Sequence, residues 1–128
     1  MSVLKVTCAI IYFGDKVLVV QRSENMSVPL KWEFPGGKLE LNESEEDCIK
    51  REIKEELNIE ISLLKRLTPS LFNYPSVSIE LIPFLANYSE GEITLKEHKR
   101  YLLLTKQELS NLDWAEADLP ILKELLSL

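Results

Sequence analysis

The strongest constraint in this sequence is a group of three glutamates whose spacing places them on one side of a helix. Glu52, Glu55 and Glu56 stand at positions i, i+3 and i+4, and side chains with this spacing share one helical face. Beside them runs an apolar stripe formed by Ile49, Ile53 and Leu57. Carboxylates this close repel one another, and partial burial strengthens the repulsion. The pattern indicates either a site for a hard cation such as Mg²⁺ or, if the face is fully solvated, an ordinary acidic surface.

The residues around the glutamates favour the metal site. A pair of glycines, Gly36 and Gly37, precedes the helix and lets the backbone approach a ligand closely. Ser44 is a suitable N-cap, with Asp47 three residues later. Asn58 suits the left-handed conformation that ends many helices. The sequence therefore predicts a glycine loop followed by a helix between Ser44 and Asn58.

The rest of the chain is predicted to consist mainly of strands. Strands are expected at residues 3–12, 17–21, 59–67, 71–74, 77–86 and 101–104. Breaks are expected at 35–37 and 89–91, a short helical turn at 106–109, and a terminal helix from Asp118 to about Leu126. This order predicts an α+β domain, an α/β/α sandwich with a helix on each face of the sheet. We expect residues 1–128 to form a single domain.

Composition and charge exclude several classes of function. The 128 residues are 45% hydrophobic and 28% charged, as in ordinary globular proteins. A net charge of −6 gives no electrostatic support for nucleic-acid binding. The apolar run at 6–13 is too short to span a membrane, and no signal-peptide cleavage site follows it. We therefore expect a cytoplasmic protein with no nucleic-acid or membrane partner. The two cysteines, Cys8 and Cys48, are expected to be buried free thiols rather than a disulfide.

Residues 37–59 read GKLELNESEEDCIKREIKEELNI. This segment resembles the Nudix box, G-x5-E-x7-R-E-U-x-E-E-x-G-U, where U is an aliphatic residue. The matching positions are Gly37, Glu43, Arg51, Glu52, Ile53, Glu55, Glu56 and Ile59. One position departs, because Asn58 stands where the family has a second glycine, and asparagine also tolerates a positive φ. Residues 32–38 and the C-terminal stretch LDWAEADLPIL are similar to MutT-type members, particularly the CTP pyrophosphohydrolase-like branch, so the resemblance covers the whole chain.

The resemblance implies the Nudix fold, with a mixed central sheet, a loop–helix–loop Nudix box and a C-terminal helix. It also implies hydrolysis of a nucleoside triphosphate to the monophosphate and pyrophosphate with Mg²⁺, for which Mn²⁺ could substitute. Cytosine nucleotides (CTP or dCTP) are narrowly favoured over 8-oxo-dGTP, in nucleotide-pool sanitation. The alternative is a non-catalytic Nudix domain that senses a nucleotide or supports a complex. The protein is expected to be a monomer or a homodimer.

The resemblance also assigns residues to the metal and to the reaction. The expected metal ligands are the three box glutamates, the Gly36 carbonyl and Glu97. Glu97 is also a candidate general base, although it could be an exposed loop residue. Arg51 is expected to orient Glu43 or Glu52 through a charge-assisted hydrogen bond. The catalytic candidates are therefore Arg51, Glu52, Glu55, Glu56 and Glu97.

Further residues are candidates for contacts with the nucleotide. Arg22 and Lys38 could contact phosphate or could be solvated surface charges. Asp118 stands where MutT-type members contact the base, and its alternative role is a simple helix N-cap. An ionised carboxylate only accepts hydrogen bonds, which suits the cytosine amine or the N–H edge of guanine. The stacking or packing candidates are Phe34, Tyr74 and Trp114. The single histidine, His98, has no evident partner and is given no catalytic role.

Overall fold

The computed structural model of the chain describes residues 3–128, which form one mixed sheet with helices on both faces. The strands are β1 (Val3–Phe13), β2 (Lys16–Gln21), β3 (Trp32–Glu33), β4 (Gly36–Lys38), β5 (Glu60–Arg66), β6 (Ser70–Tyr74), β7 (Val77–Glu90) and β8 (Arg100–Leu104). The helices are α1 (Glu45–Leu57), α2 (Lys106–Leu109) and α3 (Leu119–Leu126), and a 3-10 turn at Glu116–Asp118 precedes α3. The predicted α+β architecture is confirmed.

β1 is the central strand and pairs with three other strands. It runs parallel to β7 from the Val3–Ser78 pair to the Tyr12–Asn87 pair. It is antiparallel to β2 and to β4. β2 pairs in turn with β3 and β8, and β7 pairs with β5 and β6. Both faces of β1 are covered, so residues 7–11 of this strand are all buried. A strand buried on both faces carries apolar residues on both faces.

Alternate residues of the central strands point into two separate apolar cores. On one face Ile11 of β1 packs with the buried side of α1. On the other face Ile10 packs with the buried side of α3, which presents Ile121, Leu122 and Leu125. Successive side chains of a strand point to opposite faces, so this one strand contributes to both cores. The prediction of a helix on each face of the sheet is confirmed.

α1 begins and ends where the sequence predicts. The Oγ atom of Ser44 accepts a hydrogen bond from the backbone N–H of Asp47 at 3.0 Å. Acidic residues fill the first turn, where the helix dipole favours negative charge. Asn58 ends the helix in the left-handed conformation, with φ 62° and ψ 29°, and its N–H donates to the Lys54 carbonyl at 3.0 Å. The buried side chains of α1 are Cys48, Ile49, Ile53 and Leu57.

Two predicted breaks differ from the structure. The glycine pair lies within β4, which pairs with residues 6–8 of β1. A side chain at Gly36 would collide with the backbone of Thr7, so glycine permits a close approach between strands rather than a turn. β7 continues to Glu90 through the turn predicted at 89–91, because β5 pairs with it as far as Glu60. The chain leaves the strand at Gly91, with φ 106°.

The expectation about the cysteines is confirmed, since Cys8 and Cys48 are buried and free. Burial raises the pKa of both thiols, which keeps them protonated at neutral pH. In residues 3–128 no helix is both long enough and apolar enough to cross a membrane.

We expect Asn58→Gly to change the free energy of unfolding by well under ~1 kcal/mol, because both residues adopt the left-handed conformation. The Asn58 amide donates to the Glu92 carbonyl only at 3.4 Å, at an exposed position, so little is lost with it. Asn58→Ala is the matched control and should cost about 1–2 kcal/mol, since its Cβ disfavours this conformation. Urea unfolding, monitored by circular dichroism, measures the free energy of unfolding of both variants. A clear destabilisation of the glycine variant would show instead that the hydrogen bond from the Asn58 side chain to the Glu92 carbonyl is essential.

Candidate active site

A cavity of about 660 Å³ brings together residues from both halves of the chain. All the predicted nucleotide-binding residues line it, namely Arg22, Phe34, Lys38, Tyr74 and Asp118. Three predicted metal ligands line it as well, namely Gly36, Glu56 and Glu97. Of the other two box glutamates, Glu52 lies against the lining residue Gly37 and Glu55 is half exposed. The acidic face of α1 and the N-terminal end of α3 therefore share one cavity.

Arg51 connects the glutamates of the loop and the helix. Its Nε and Nη2 atoms donate to the two carboxylate oxygens of Glu43 at 2.6 and 3.0 Å. Its Nη1 atom donates to Glu52 and to Glu55, each at 3.2 Å. The predicted bond from Arg51 to Glu43 or Glu52 is thus formed with both residues. Nη2 also donates to the Lys38 carbonyl at 3.2 Å, which ties the glycine loop to the helix.

The hydrogen bonds from Arg51 dominate the electrostatics of Glu43. They lower the pKa of Glu43 to about 2, with a smaller contribution from the backbone N–H of Glu40. The pKa of Arg51 is raised for the same reason. Both groups therefore remain charged throughout the neutral range. Glu43 buttresses the loop through this pair, as expected for a residue that supports the metal site.

Strand β4, which contains the glycine pair, is pressed against α1. A side chain at Gly37 would overlap the carboxylate of Glu52, so only glycine fits here. The Gly37 carbonyl accepts a hydrogen bond from Thr7 Oγ1 at 3.2 Å, and Thr7 also contacts Cys48 Sγ at 3.2 Å. The thiol of Cys48 donates to the Lys38 carbonyl at 3.4 Å. These contacts fix the backbone of the loop over the glutamates.

The box glutamates fit a bound cation. Burial raises the pKa of Glu52, although Arg51 opposes this effect. Burial also raises the pKa of Glu56, and the negative charge of Glu97 adds to it. The Oε2 atom of Glu56 is buried and has no hydrogen-bond partner within the described residues. A divalent cation would supply the missing partner and favour the charged carboxylates, and carboxylate oxygens are the ligands that Mg²⁺ and Mn²⁺ prefer.

Two of the three box glutamates on the helix, Glu52 and Glu55, are held by Arg51 rather than arranged around a central point. Across residues 3–128, no three histidine, cysteine or acidic side chains converge in a metal-ligand arrangement. Glu52 and Glu55 share one nitrogen of Arg51 instead. Glu97 is exposed at the opening of the cavity, and its charge acts on Glu56. A cation would therefore draw together carboxylates that Arg51 already keeps on one side of α1.

Asp118 is a buried residue of the cavity and not a helix cap. Its side chain is only 3% exposed, and its Oδ2 accepts a hydrogen bond from the backbone N–H of Phe34 at 2.9 Å. It makes no capping bond to α3, and its own backbone is helical. Burial, followed by the charge of Glu33, raises the pKa of Asp118 well above its usual range. The raised pKa favours the protonated carboxyl group, which can donate a hydrogen bond as well as accept one, whereas the ionised form only accepts.

The aromatic candidates have different positions. Phe34 and Trp114 pack against each other with ring centroids 4.8 Å apart, and both are buried. Trp114 is a core residue, and its Nε1 donates to the Leu109 carbonyl at 2.8 Å. Tyr74 is partly buried on the cavity wall, where its hydroxyl accepts a hydrogen bond from the N–H of Ala117 at 3.2 Å. Phe34 and Tyr74 are therefore the aromatic residues that reach the cavity.

The two basic candidates also differ. Arg22 donates from Nε to the Ser27 carbonyl at 2.6 Å and from Nη1 to Glu33 at 2.9 Å. Arg22 therefore holds the loop after β2 through these hydrogen bonds and is not a solvated surface charge. Lys38 is exposed on the cavity wall.

Sequence reasoning gave no role to Glu33 and found no partner for His98. The Nε2 atom of His98 lies 2.8 Å from Glu33 Oε2, so the expectation of a partnerless histidine is wrong. On the other side of the ring, Nδ1 lies 3.9 Å from Glu56 Oε2. One signal was available in the sequence. Glu33 stands between two large apolar residues, so in a strand it points away from their core.

We expect Arg51→Gln to lower the free energy of unfolding at pH 7 by about 1.5–3 kcal/mol, the range for hydrogen bonds to charged groups. The lowered pKa of Glu43 means that its bond stabilises the fold above the ordinary glutamate pKa and is lost as pH falls towards about 2. The difference from the wild type should therefore shrink in acid. Arg66→Gln breaks an exposed pair with Glu45 and should cost under about 0.5 kcal/mol. Equal losses in the two variants, measured by urea unfolding between pH 3 and 7, would contradict the central role of Arg51.

Comparisons with known proteins identify the family of this chain. The family model of the NUDIX domain matches residues 1–125. The CTP pyrophosphohydrolase of Escherichia coli K12 is 29% identical over 128 residues, which are 100% of this chain and 95% of that protein. The 8-oxo-dGTP diphosphatase of Proteus vulgaris is 35% identical over 83 residues, or 65% of this chain and 74% of that protein.

A solved structure agrees as well. The solution structure of the MutT protein of methicillin-resistant Staphylococcus aureus 252, described as a DNA mismatch repair protein of the Nudix hydrolase family, is 38% identical. It superposes with a TM-score of 0.80, covering 98% of this chain and 97% of that one. The family match spans nearly the whole chain, and two of the box residues, Gly37 and Glu56, line the cavity. The chain therefore belongs to the Nudix family of hydrolases.

Proposed function

We propose that the protein hydrolyses a nucleoside triphosphate to the monophosphate and pyrophosphate with Mg²⁺ or Mn²⁺, and that it prefers cytosine nucleotides to 8-oxo-dGTP. The observation that carries this proposal is the shared cavity, whose lining includes Glu56 of α1 and the buried carboxyl group of Asp118. Support for the cytosine preference comes from the E. coli CTP pyrophosphohydrolase, which aligns with the entire chain. The preference is narrow, because the 8-oxo-dGTP diphosphatase of E. coli K12 is also 29% identical and aligns with 88% of the chain.

The end of the cavity beside α1 is here called the metal end, and each of its residues has a proposed role. The cation would be held by Glu52, Glu55 and Glu56, with the Gly36 carbonyl and Glu97 as further ligands. When bound, it neutralises phosphate oxygens and lowers the pKa of the attacking water. Arg51 keeps the helix carboxylates turned to one side through its bonds to Glu52 and Glu55. Gly37 leaves room for the Glu52 carboxylate beside the loop.

The proposed reaction is an in-line displacement at the β-phosphorus. The water oxygen forms a bond to the β-phosphorus, and the bond from that phosphorus to the α–β bridging oxygen breaks. The nucleoside monophosphate leaves with the bridging oxygen, and the attacking group becomes part of pyrophosphate. A carboxylate takes the proton from water, and the candidates are Glu55, Glu56 and Glu97. Glu97 is exposed beside the buried Glu56, and this position suits a base that must reach a bound water.

Asp118 is proposed to recognise the base. With a raised pKa, its carboxyl group can carry a proton and act as donor and acceptor together. The cytosine edge offers this complement, because its N4 amine donates while its N3 accepts. The N–H groups on the guanine edge both donate and suit the ionised form instead. The bond from the Phe34 N–H to Oδ2 would hold the carboxyl group in place for either base.

Lys38 and Arg22 are proposed to contact the phosphates. Lys38 lies next to the glycine pair, exposed on the cavity wall and free to reach a phosphate. Arg22 would first have to give up its bonds to Ser27 or Glu33.

Removal of the metal should abolish hydrolysis, and Mg²⁺ or Mn²⁺ should restore it. Glu56→Gln should keep the fold and lower kcat about 100-fold or more, because loss of one group that stabilises charge in an active site has this scale. Glu46→Gln, on the exposed side of the same helix, is the matched control and should retain activity. Pyrophosphate release from CTP in the presence and absence of a chelator measures these effects. Unchanged turnover in Glu56→Gln would exclude Glu56 as a ligand.

Asp118→Ala should lower kcat/KM for CTP by a factor that corresponds to a loss of about 1–3 kcal/mol in transition-state stabilisation. This is the cost of a lost hydrogen bond to a charged or buried group. The loss should be much smaller for a nucleotide whose base the site recognises poorly. Asp118→Asn is the control, because its amide oxygen can still accept from the Phe34 N–H and so preserves the wall of the cavity. Equal losses for all bases would mean that Asp118 has only a structural role.

The protonation of Asp118 adds a pH dependence to base selection. A raised pKa means that the protonated form persists at low pH and is lost as pH rises through that pKa. The ratio of kcat/KM for CTP to that for 8-oxo-dGTP should therefore fall with rising pH. The ratio is measured at constant metal concentration, and Asp118→Asn, which does not titrate, should show a constant ratio. A ratio that varies with pH equally in the wild type and in Asp118→Asn would contradict the role of Asp118.

A further inference from the structure

His98 lies between two carboxylates that belong to opposite ends of the cavity. Its Nε2 atom is 2.8 Å from Glu33 Oε2, and its Nδ1 atom is 3.9 Å from Glu56 Oε2. Glu33 lies on β3 near Asp118, at what is here called the base-binding end, and its charge raises the pKa of Asp118. Glu56 lies on α1 at the metal end. The imidazole ring is therefore the direct link between the two ends.

The Glu33 side of the ring is a completed hydrogen bond. A carboxylate only accepts, so Nε2 carries the hydrogen and donates it to Glu33. The other oxygen of Glu33 accepts from Arg22 at 2.9 Å, which fixes the carboxylate from its far side. His98 itself has a side chain only 4% exposed. The ring is therefore held in one orientation, and its Nδ1 atom faces Glu56.

The Glu56 side of the ring is an incomplete contact. Nδ1 of His98 and Oε2 of Glu56 are both buried, and neither has a hydrogen-bond partner within residues 3–128. Buried polar atoms without partners are rare in folded proteins, and here two of them face each other. A hydrogen bond donated by Nδ1 to Oε2 would satisfy both atoms and leave Glu56 as the carboxylate that a metal requires. A small rotation of the Glu56 carboxylate would be enough to form it.

We propose that His98 is a positioning residue that orients the Glu56 carboxylate for the metal and couples it, through Glu33, to the base-binding end of the cavity. This inference rests on the proposed function, because it treats Glu56 as a metal ligand. Residues that hydrogen-bond a metal-ligating carboxylate orient it and tune its affinity for the metal. The structure places His98 in that position for Glu56.

The coupling has a reciprocal consequence. If His98 transmits changes between Glu33 and Glu56, then a substitution at Glu33 must alter metal affinity, although Glu33 is not a proposed ligand. By linkage, a nucleotide that changes the affinity for the metal must have its own affinity changed by the metal by the same factor. A histidine that only fills space in the wall of the cavity would produce neither effect.

Two conservative variants separate the two sides of the ring. The amide of His98→Asn can occupy the place of Nδ1 and reach Glu56, but it is too short for Glu33. The amide of His98→Gln can occupy the place of Nε2 and reach Glu33, but it leaves Glu56 without a partner. A structural role would make the two variants alike, whereas a positioning role makes them differ in metal affinity.

Mn²⁺ binding without nucleotide tests the inference, with free Mn²⁺ measured by electron paramagnetic resonance. His98→Gln should weaken Mn²⁺ binding about tenfold or more, the scale of a lost outer-shell partner. His98→Asn should retain most of the affinity. Equal affinities in the wild type and both variants, or equal losses in the two variants, would overturn the proposal.

A double-mutant cycle tests the coupling itself. Glu33→Gln should weaken Mn²⁺ binding several-fold in the wild-type background, on the order of the effect of other outer-shell changes. In the His98→Asn background the same substitution should have no effect, because the link to Glu33 is already broken. Additive effects would overturn the coupling. If either His98 variant failed to fold, as judged by thermal unfolding, Glu33→Gln alone would decide, and unchanged Mn²⁺ affinity would contradict the inference.

These outcomes are distinct from a failure of the proposed function. A wild-type protein that neither binds Mn²⁺ nor releases pyrophosphate from nucleotides would overturn the proposed function. A wild-type protein that does both, with unchanged metal affinity in the Glu33 and His98 variants, would overturn only the role of His98.

Discussion

The guanidinium group of Arg51 is the interaction on which the site depends. It makes hydrogen bonds to glutamates of the loop and of the helix, and to the carbonyl of Lys38. Without it, these carboxylates would repel one another and the loop would lose its attachment to α1. The planar fork of arginine offers several donors in fixed directions, which the single ammonium group of lysine cannot provide. Arg51 therefore keeps a dense group of negative charges together in the folded protein.

The cavity has a polar, partly desolvated group at each end. Burial raises the pKa of Glu56 at one end and of Asp118 at the other. Such groups are unfavourable for stability, and they commonly mark sites where a ligand completes the electrostatics. Between them run Arg22, Glu33 and His98, joined by hydrogen bonds of 2.9 and 2.8 Å. This chain of hydrogen bonds lies between the two ends, and the proposed contact of His98 with Glu56 would join it to the metal site.

The features that depend on nearby residues could be predicted from the sequence. The ends of α1 follow from Ser44 and Asn58, and the shared face of the glutamates follows from helical spacing alone. The features that were missed depend on distant residues. The glycine pair forms a strand because β1 lies beside it, and spacing along the chain carries no record of that partner. His98 and Glu33 are 65 residues apart in sequence, and only the folded sheet brings them together.

The parallel pairing of β1 with β7 has a consequence for the order of folding. β1 is the first strand of the chain, yet its parallel partner begins at Val77, so the long ladder between them closes a large loop. Contacts this distant along the chain form slowly, because the entropy of loop closure opposes them. During synthesis α1 emerges before β7, and the core that buries its apolar side includes Ile82 and Phe84 of that strand. Residues of β1 and β2, which are made before α1, can cover part of its apolar side, but the core is complete only when β7 has been added.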